Sequence, residues 1–260
     1  MNLYDFHRGT SPLLISIPHS GTALPEALAH RLTVVGRTVP DTDWYVDLLY
    51  DFARGLGASI IKANYSRYVV DLNRSPDSAS LYEGAPTSPV CPTESFGGSF
   101  IYMAGHEPEE REIASRIDEY WRPYHGRIAT ELAQMRAAYG KALLWDAHSI
   151  ASEIPGLFEG VLPEFNLGTR DGASCPREIS EALVQIVARD GEFGVVLDGR
   201  FKGGYITDHY GRPANGVYAV QLELARRSYM DEAVEQVWDP QRAERAQALI
   251  SRLLGKYLSS

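Results

Sequence analysis

Leu13-Leu-Ile-Ser-Ile-Pro-His-Ser-Gly21 sets an apolar run directly against a proline, an imidazole and a glycine. The run reads as a buried strand, and Pro18 to Gly21 as the loop it enters. The same order returns in Ala142-Leu-Leu-Trp-Asp-Ala-His-Ser149, a second strand that ends on a histidine and a serine. Working outward, residues 58–63, 195–197 and 217–224 are further strands, and Arg67-Tyr-Val-Val-Asp71 is read as another, ending in Leu72-Asn-Arg74. Helical signals begin at Pro25. Tyr45, Leu48, Leu49, Phe52 and Leu56 recur at helical spacing behind Asp41-Thr-Asp43, and Gly55 and Gly57 stop that pattern. Residues 108–138 carry the longest helical stripe, which Pro123 is expected to kink or divide. Helices over 176–189 and 240–258 complete the alternation, which defines an α/β class with a mixed, largely parallel sheet.

The 260 residues are 44% apolar, ample for a core, and 25 Lys+Arg against 34 Asp+Glu leave a net charge of −9. Such a chain lacks the basic footprint for nucleic acid or anionic lipid, so an anionic ligand must be caught by local positive charge. Two cysteines, Cys91 and Cys175, are too few for a zinc ribbon or disulfide framework and fit a reducing, cytoplasmic setting. The longest early apolar run, five residues, falls short of a signal h-region, and nothing approaches the roughly 18 to 20 apolar residues of a membrane span. Without repeats or a Gly/Ser linker, one domain over residues 1–260 is expected, with residues 75–107, crowded with proline and glycine, as a long loop or lid. Nucleophile-elbow, Walker and dinucleotide signatures are missing.

In open α/β sheets, ligands sit beyond the carboxyl ends of the strands. Four such ends carry polar groups: Pro18-His-Ser-Gly21, Asp71-Leu-Asn-Arg74, Asp146-Ala-His-Ser149 and Gln221-Leu-Glu-Leu224. Together they have the composition of a metallohydrolase site. Catalytic zinc takes three ligands from His and Asp/Glu and keeps a position for water, whose pKa falls to about 7. His19 and His148 are the natural imidazole pair, although either could be a hydrogen-bonded loop histidine. Asp43 is the first choice for the carboxylate and Asp41 the reserve; both could instead cap a helix. Glu223 lies in an apolar strand, where a carboxylate is costly unless paired, and a general base would justify it. It could otherwise face solvent beside Gln221. Arg67 and Arg74 are suited to forked carboxylate binding and Asn73 offers an amide. His125, just after Pro123, and Phe201-Lys-Gly-Gly-Tyr-Ile206, with Lys202 and Tyr205, are further candidates.

Through Ile17-Pro-His-Ser-Gly21, Pro40-Asp-Thr-Asp-Trp44, Tyr65–Arg74, Pro123-Tyr-His125, Asp146-Ala-His-Ser149, Gly199–Thr207 and Gln221-Leu-Glu-Leu224, the chain resembles the N-formylglutamate amidohydrolase family. More distantly it is similar to zinc carboxypeptidases. The resemblance implies a three-layer α/β sandwich and hydrolysis of N-formyl-L-glutamate, a small dicarboxylate, to formate and L-glutamate in histidine degradation. It further implies that His19, Asp43 and His148 hold Zn2+, or Co2+, Mn2+ or Ni2+ in the same ligand set. Thr22 stands where carboxypeptidases carry a glutamate ligand, which is why Asp43, the position of an acidic residue in divergent relatives, is preferred to Asp41. Glu223 is implied as the base that deprotonates water. Asn73 and Arg74 are implied as a carboxylate anchor, with Arg67, Lys202 or Arg212 as the second. Arg67, His125 and Tyr205 are unranked candidates for the oxyanion donor. Another metal-dependent amidohydrolase acting on a different N-acyl amino acid, or a non-catalytic amino-acid-binding protein, would share many of these residues.

Overall fold

A computed structural model describes residues 1–79, 88–232 and 236–260. Seven strands form one sheet: β1 (Tyr4–His7), β2 (Leu13–Ile17), β3 (Ser59–Ala63), β4 (Ala142–Ile150), β5 (Phe165–Gly168), β6 (Val195–Leu197) and β7 (Val217–Ala225). Their order is β1-β3-β2-β4-β7-β5-β6. The β3–β2–β4–β7 centre and the β5/β6 pair are parallel, while β1 and β5 join antiparallel to β3 and β7. This is the mixed, largely parallel α/β sheet expected from the alternation of patterns. Two of its strands, β1 and β5, are four residues each and too short to show a period.

Alternation along the strands sorts the two faces. Leu13, Ile15, Ile17, Leu143, Trp145, Ala147, Val220, Leu222 and Leu224 fill one core with α3 (Val46–Leu49), α6 (Arg177–Asp190) and α8 (Pro240–Leu258), which follow the short α1 (Glu26–Ala29) and α2 (Val34–Thr38) in the chain's helix count. Leu14, Ala142, Leu144, Val217 and Ala219 fill the other with α4 (Glu110–Arg116), α5 (Arg122–Tyr139) and Ile206 of α7 (Tyr205–Tyr210). On this second face the residues nearer the carboxyl ends turn polar. Ser16 pairs across the ladder with Asp146, Asp146 with Gln221, and His148 with Glu223. An apolar helix packs over one half of the face, and the polar half opens toward the strand ends.

Several local readings are corrected. Residues 67–71 form turns, not a strand: Val69 N–H donates to Ser66 O at 2.9 Å, and Asp71 N–H to Val90 O at 2.7 Å. Tyr68, Val69 and Val70 are apolar because side chains of other segments cover them, with no ladder involved. The helix read over 45–56 is only one turn of α3 followed by a 3-10 stretch, Asp51–Leu56. Pro123 enters at the start of α5, immediately after a π-helical turn at Ile117–Trp121, so the wider turn accommodates the missing N–H and the helix continues. Of the expected loop or lid, residues 80–87 lie outside the described residues; 75–79 and 88–107 contain turns and the isolated bridges Leu32–Tyr102 and Glu94–Phe100.

Leu144, fully buried in the central strand, tests this arrangement. Leu144→Ala is expected to cost about 2–5 kcal/mol in urea unfolding; a loss below about 1 kcal/mol would show that β4 is not packed between helices on that face.

Candidate metal centre and pocket

His19 lies two residues beyond β2 and His148 within the last turn of pleat of β4, so adjacent parallel strands deliver both imidazoles to the same edge. Their ring centroids are 4.9 Å apart, and both rings are buried. Asp43 arrives from a loop tied to the first histidine, its N–H donating to His19 O at 3.0 Å, and it does not cap α3, whose N-cap position is Tyr45 with no side-chain bond. Its Oδ2 is 3.0 Å from His148 Nδ1 and 3.7 Å from His19 Nδ1. One ligand atom from each of His19, Asp43 and His148 lies within 4.8 Å of the others. Asp41 is directed elsewhere, accepting from Tyr68 Oη at 2.7 Å and from Phe96 N–H at 3.0 Å.

The outer ring nitrogens are equally committed. His19 Nε2 lies 2.8 Å from Asp71 Oδ1, and His148 Nε2 lies 2.9 Å from both Asp146 Oδ2 and Asn73 Nδ2; because a carboxylate can only accept, each pairing with an acid assigns a proton to Nε2. With the proton fixed on Nε2, each ring directs Nδ1 at the space beside Asp43, and a carboxylate behind each ring is the arrangement that orients metal-binding histidines. His19 Nδ1 is buried and has no partner. Burial, reinforced by the Arg67 charge, holds His19 below its ordinary pKa, which keeps that lone pair available. Burial opposes charging of His148 too, but Asp146 and Asp43 overcome it and raise its pKa well above the usual value. The proton that His148 Nδ1 then shares with Asp43 occupies a place where a cation would satisfy all three side chains. An orphaned imidazole nitrogen, a second imidazole and a carboxylate therefore fit a divalent ion.

Around this cluster is a cavity of about 380 Å³, lined by Arg67, Arg74, Phe96, Arg200, Lys202, Gln221 and Glu223, among other groups. Glu223 sits across the ladder from His148 and is pushed up to about 8 by burial, with Asp43 and Asp146 adding to the rise against His148 and Arg67. It is not the solvent-facing member of a half-buried strand. Arg67 is buried at 2.5 Å from Asp71 Oδ2 and 4.6 Å over the Phe96 ring; burial opposes its charge, but Asp71, Asp43 and Asp41 more than compensate. Arg74 Nε donates to Ser88 Oγ at 3.0 Å, and Lys202 pairs with Asp171 at 3.0 Å.

Four expected site residues have other duties. Asn73 reaches the wall, but its amide donates to Asp146 at 3.0 Å and accepts from Ile206 N–H at 2.8 Å, so it positions the neighbouring groups. Gly204 packs on that amide so closely that a Cβ would meet it at 2.4 Å. His125 lies outside the cavity wall: Nε2 donates to Leu72 O at 2.8 Å, Nδ1 is 3.0 Å from Tyr210 Oη, and the ring stacks on Trp121 at 3.7 Å. Burial pushes its pKa down to about 3, so it stays neutral and supports the Asn73 segment from behind. Tyr205 points at His209, 3.2 Å away, and Arg212 closes the end of α7 on the carbonyls of Asp208 and Gly211; neither lines the cavity. Asp71, Asp146 and Arg200 were given no role from sequence. The first two follow from asking what each ring's second nitrogen donates to.

An α/β sheet carrying a buried His-Asp-His cluster at its strand ends defines a protein with a candidate metal centre. The N-formylglutamate amidohydrolase family profile matches residues 11–230, and the chain belongs to that family. It is 47% identical to an N-formylglutamate deformylase of Pseudomonas putida over 98% of this chain and 95% of that one. It is 49% identical to an N-formylglutamate deformylase of Pseudomonas aeruginosa over 98% and 96%. Among solved structures, an N-formylglutamate amidohydrolase from Ralstonia eutropha JMP134 superposes with a TM-score of 0.81 at 21% identity, covering 100% of this chain and 98% of that one. A gene product of Agrobacterium tumefaciens does so with 0.74 at 18% identity, covering 100% and 96%. At those identities the structural matches speak for the fold.

The carboxylates behind the rings give a test. Asp71→Asn or Asp146→Asn is expected to weaken Zn2+ binding about 10- to 100-fold in competition with a chromophoric chelator; unchanged affinity would mean that the rings are oriented by something else.

Proposed function

We propose that the protein is a metal-dependent amidohydrolase that cleaves N-formyl-L-glutamate to formate and L-glutamate, as a step in histidine degradation. The observation that supports this most strongly is the convergence of the His19–Asp43–His148 cluster with buried Glu223 in a cavity rimmed by arginine and lysine. It rests equally on two deformylase relatives that match almost the whole chain. No helix among the described residues is long and apolar enough to cross a membrane.

His19, Asp43 and His148 would hold the ion, Zn2+ by its preference for imidazole and carboxylate, with Co2+, Mn2+ or Ni2+ able to use the same ligands. Bound there, it would supply Lewis acidity to a carbonyl and acidify water. Glu223 is our general base: it accepts a proton from the attacking water and returns it to the departing amide nitrogen as the C–N bond breaks, releasing formate and L-glutamate. Arg67 stays charged beside the cluster and is the donor for the oxyanion. His125 and Tyr205 are not candidates for that role, because their polar atoms are directed away from the cavity. Arg74 and Lys202 supply positive charge for the substrate carboxylates, and Asn73 holds Asp146 and α7 in place behind them.

The reading is tested by formate release from N-formyl-L-glutamate before chelation, after it, and after Zn2+ is restored. Activity lost on chelation and regained with metal is expected, and absence of formate under every condition would overturn the proposal. Glu223→Gln is expected to lower kcat about 10²- to 10⁴-fold; a fall under threefold would assign the base elsewhere. Because the base must be ionised, kcat/KM should fall as pH drops. A bound cation favours the ionised form, so that limb should lie below the value of about 8 to which burial and the neighbouring charges bring Glu223 without the ion.

A further inference from the structure

We infer that Arg200 is the specificity-determining residue that recognises the side-chain carboxylate of the substrate, restricting the enzyme to N-acyl amino acids with an acidic side chain. The inference rests on the deformylase reading and extends it. A dicarboxylate brings two negative charges into a cavity lined by Asp43 and Glu223, with Asp71 and Asp146 buried close behind it and Arg67 as its buried arginine. Arg67, paired with Asp71 at 2.5 Å, is committed to the oxyanion, and Lys202, which shares its charge with Asp171 at 3.0 Å, stands with Arg74 for the α-carboxylate. Arg200 differs from both. Arg200 lines the same cavity, and its guanidinium donates from Nη2 to Leu157 O, another lining residue, at 3.0 Å and lies 5.7 Å from the Phe201 ring centroid. No carboxylate among the described residues forms an ion pair with it. The backbone contact fixes one edge of the fork and leaves the remaining donors for a planar anion, the geometry for which arginine is suited.

The loop that carries Arg200 is also fixed in place, as a specificity element requires. Gly204 N–H donates to Gln221 Oε1 at 2.7 Å, two residues from Glu223 on β7. Arg170 N–H donates to Lys202 O at 2.7 Å, and a Cβ on Gly168 would stand 2.5 Å from Gly203 N, so the loop rests directly on the end of β5. Leu157, on a separate segment, holds the guanidinium from the other side. The positive charge therefore stands at a set displacement from the general base, whereas an arginine on a free loop would accept side chains of many lengths. Arg200 is exposed at the cavity rim, so replacing it leaves the core intact.

Steady-state kinetics on N-formyl-L-glutamate and its neutral isostere N-formyl-L-glutamine test this, with wild type, Arg200→Met and Arg200→Lys compared. Wild type is expected to prefer the glutamate compound by at least about tenfold in kcat/KM, and Arg200→Met to reduce that preference about 10- to 100-fold, mainly through KM, as loss of a charge-assisted hydrogen bond does. Arg200→Lys should retain part of the preference. A ratio in Arg200→Met within threefold of wild type, or a wild type that does not discriminate, would overturn the assignment alone. Wild type that releases formate from neither compound would overturn the functional reading and the assignment with it.

Discussion

Two buried carboxylates standing behind two imidazoles determine how this molecule is built. Asp71 and Asp146 each accept the Nε2 proton of a histidine, at 2.8 and 2.9 Å, and so direct two Nδ1 atoms toward Asp43. Each carboxylate is itself held: Asp71 by Arg67 and the Asn73 N–H, Asp146 by the Asn73 amide. Leaving either acid unpaired in the interior would cost several kcal/mol. The sheet, the 71–74 turn and α7 are therefore tied to one another through the site. Trp121 extends the same network by donating to Arg74 O at 3.0 Å from the π-helical turn.

A consequence is that the cluster carries a protonation state set by geometry. Asp43 is drawn below the ordinary carboxylate range: burial opposes this, but the His148 hydrogen bond and the His19, His148 and Arg67 charges outweigh it. Asp71 is held well below that range by Arg67 and His19, against the same burial. Asp43 and Asp71 stay ionised, His19 keeps an unprotonated Nδ1, and the proton that His148 Nδ1 shares with Asp43 is the one a bound cation would displace. Glu223, whose side chain accepts from Gln221 Nε2 at 3.3 Å, is the carboxylate of this cluster that burial pushes upward. Ligand and base are distinguished by the company they keep, although both are carboxylates on one sheet edge.

Much of this was legible in the chain. The two strand-His-Ser segments gave the sheet centre and the imidazole pair, because an apolar run of strand length leaves little choice of element. Glu223 announced itself as a charge inside an apolar strand. What failed had physical causes. Tyr68, Val69 and Val70 look like a strand, since burial under neighbouring segments leaves the same composition as burial in a ladder. His125, Tyr205 and Arg212 carry the right chemistry, but His125 is turned from the cavity by Leu72, a contact 53 residues away in the chain that no spacing rule reaches, while Tyr205 and Arg212 are taken up by His209 and Asp208, helical neighbours four residues away that become readable only once α7 is known. Asp71 and Asp146 stood inside quoted motifs and became readable only once each ring's second nitrogen had to be satisfied.

The most direct measurement is a crystal structure of the metal-loaded protein with anomalous diffraction at the metal edge. The account predicts one peak at about 2.0–2.2 Å from Nδ1 of His19, Nδ1 of His148 and a carboxylate oxygen of Asp43, with Nε2 of each ring still on Asp71 and Asp146. A peak bound through Nε2, or one that leaves out either histidine, would contradict it.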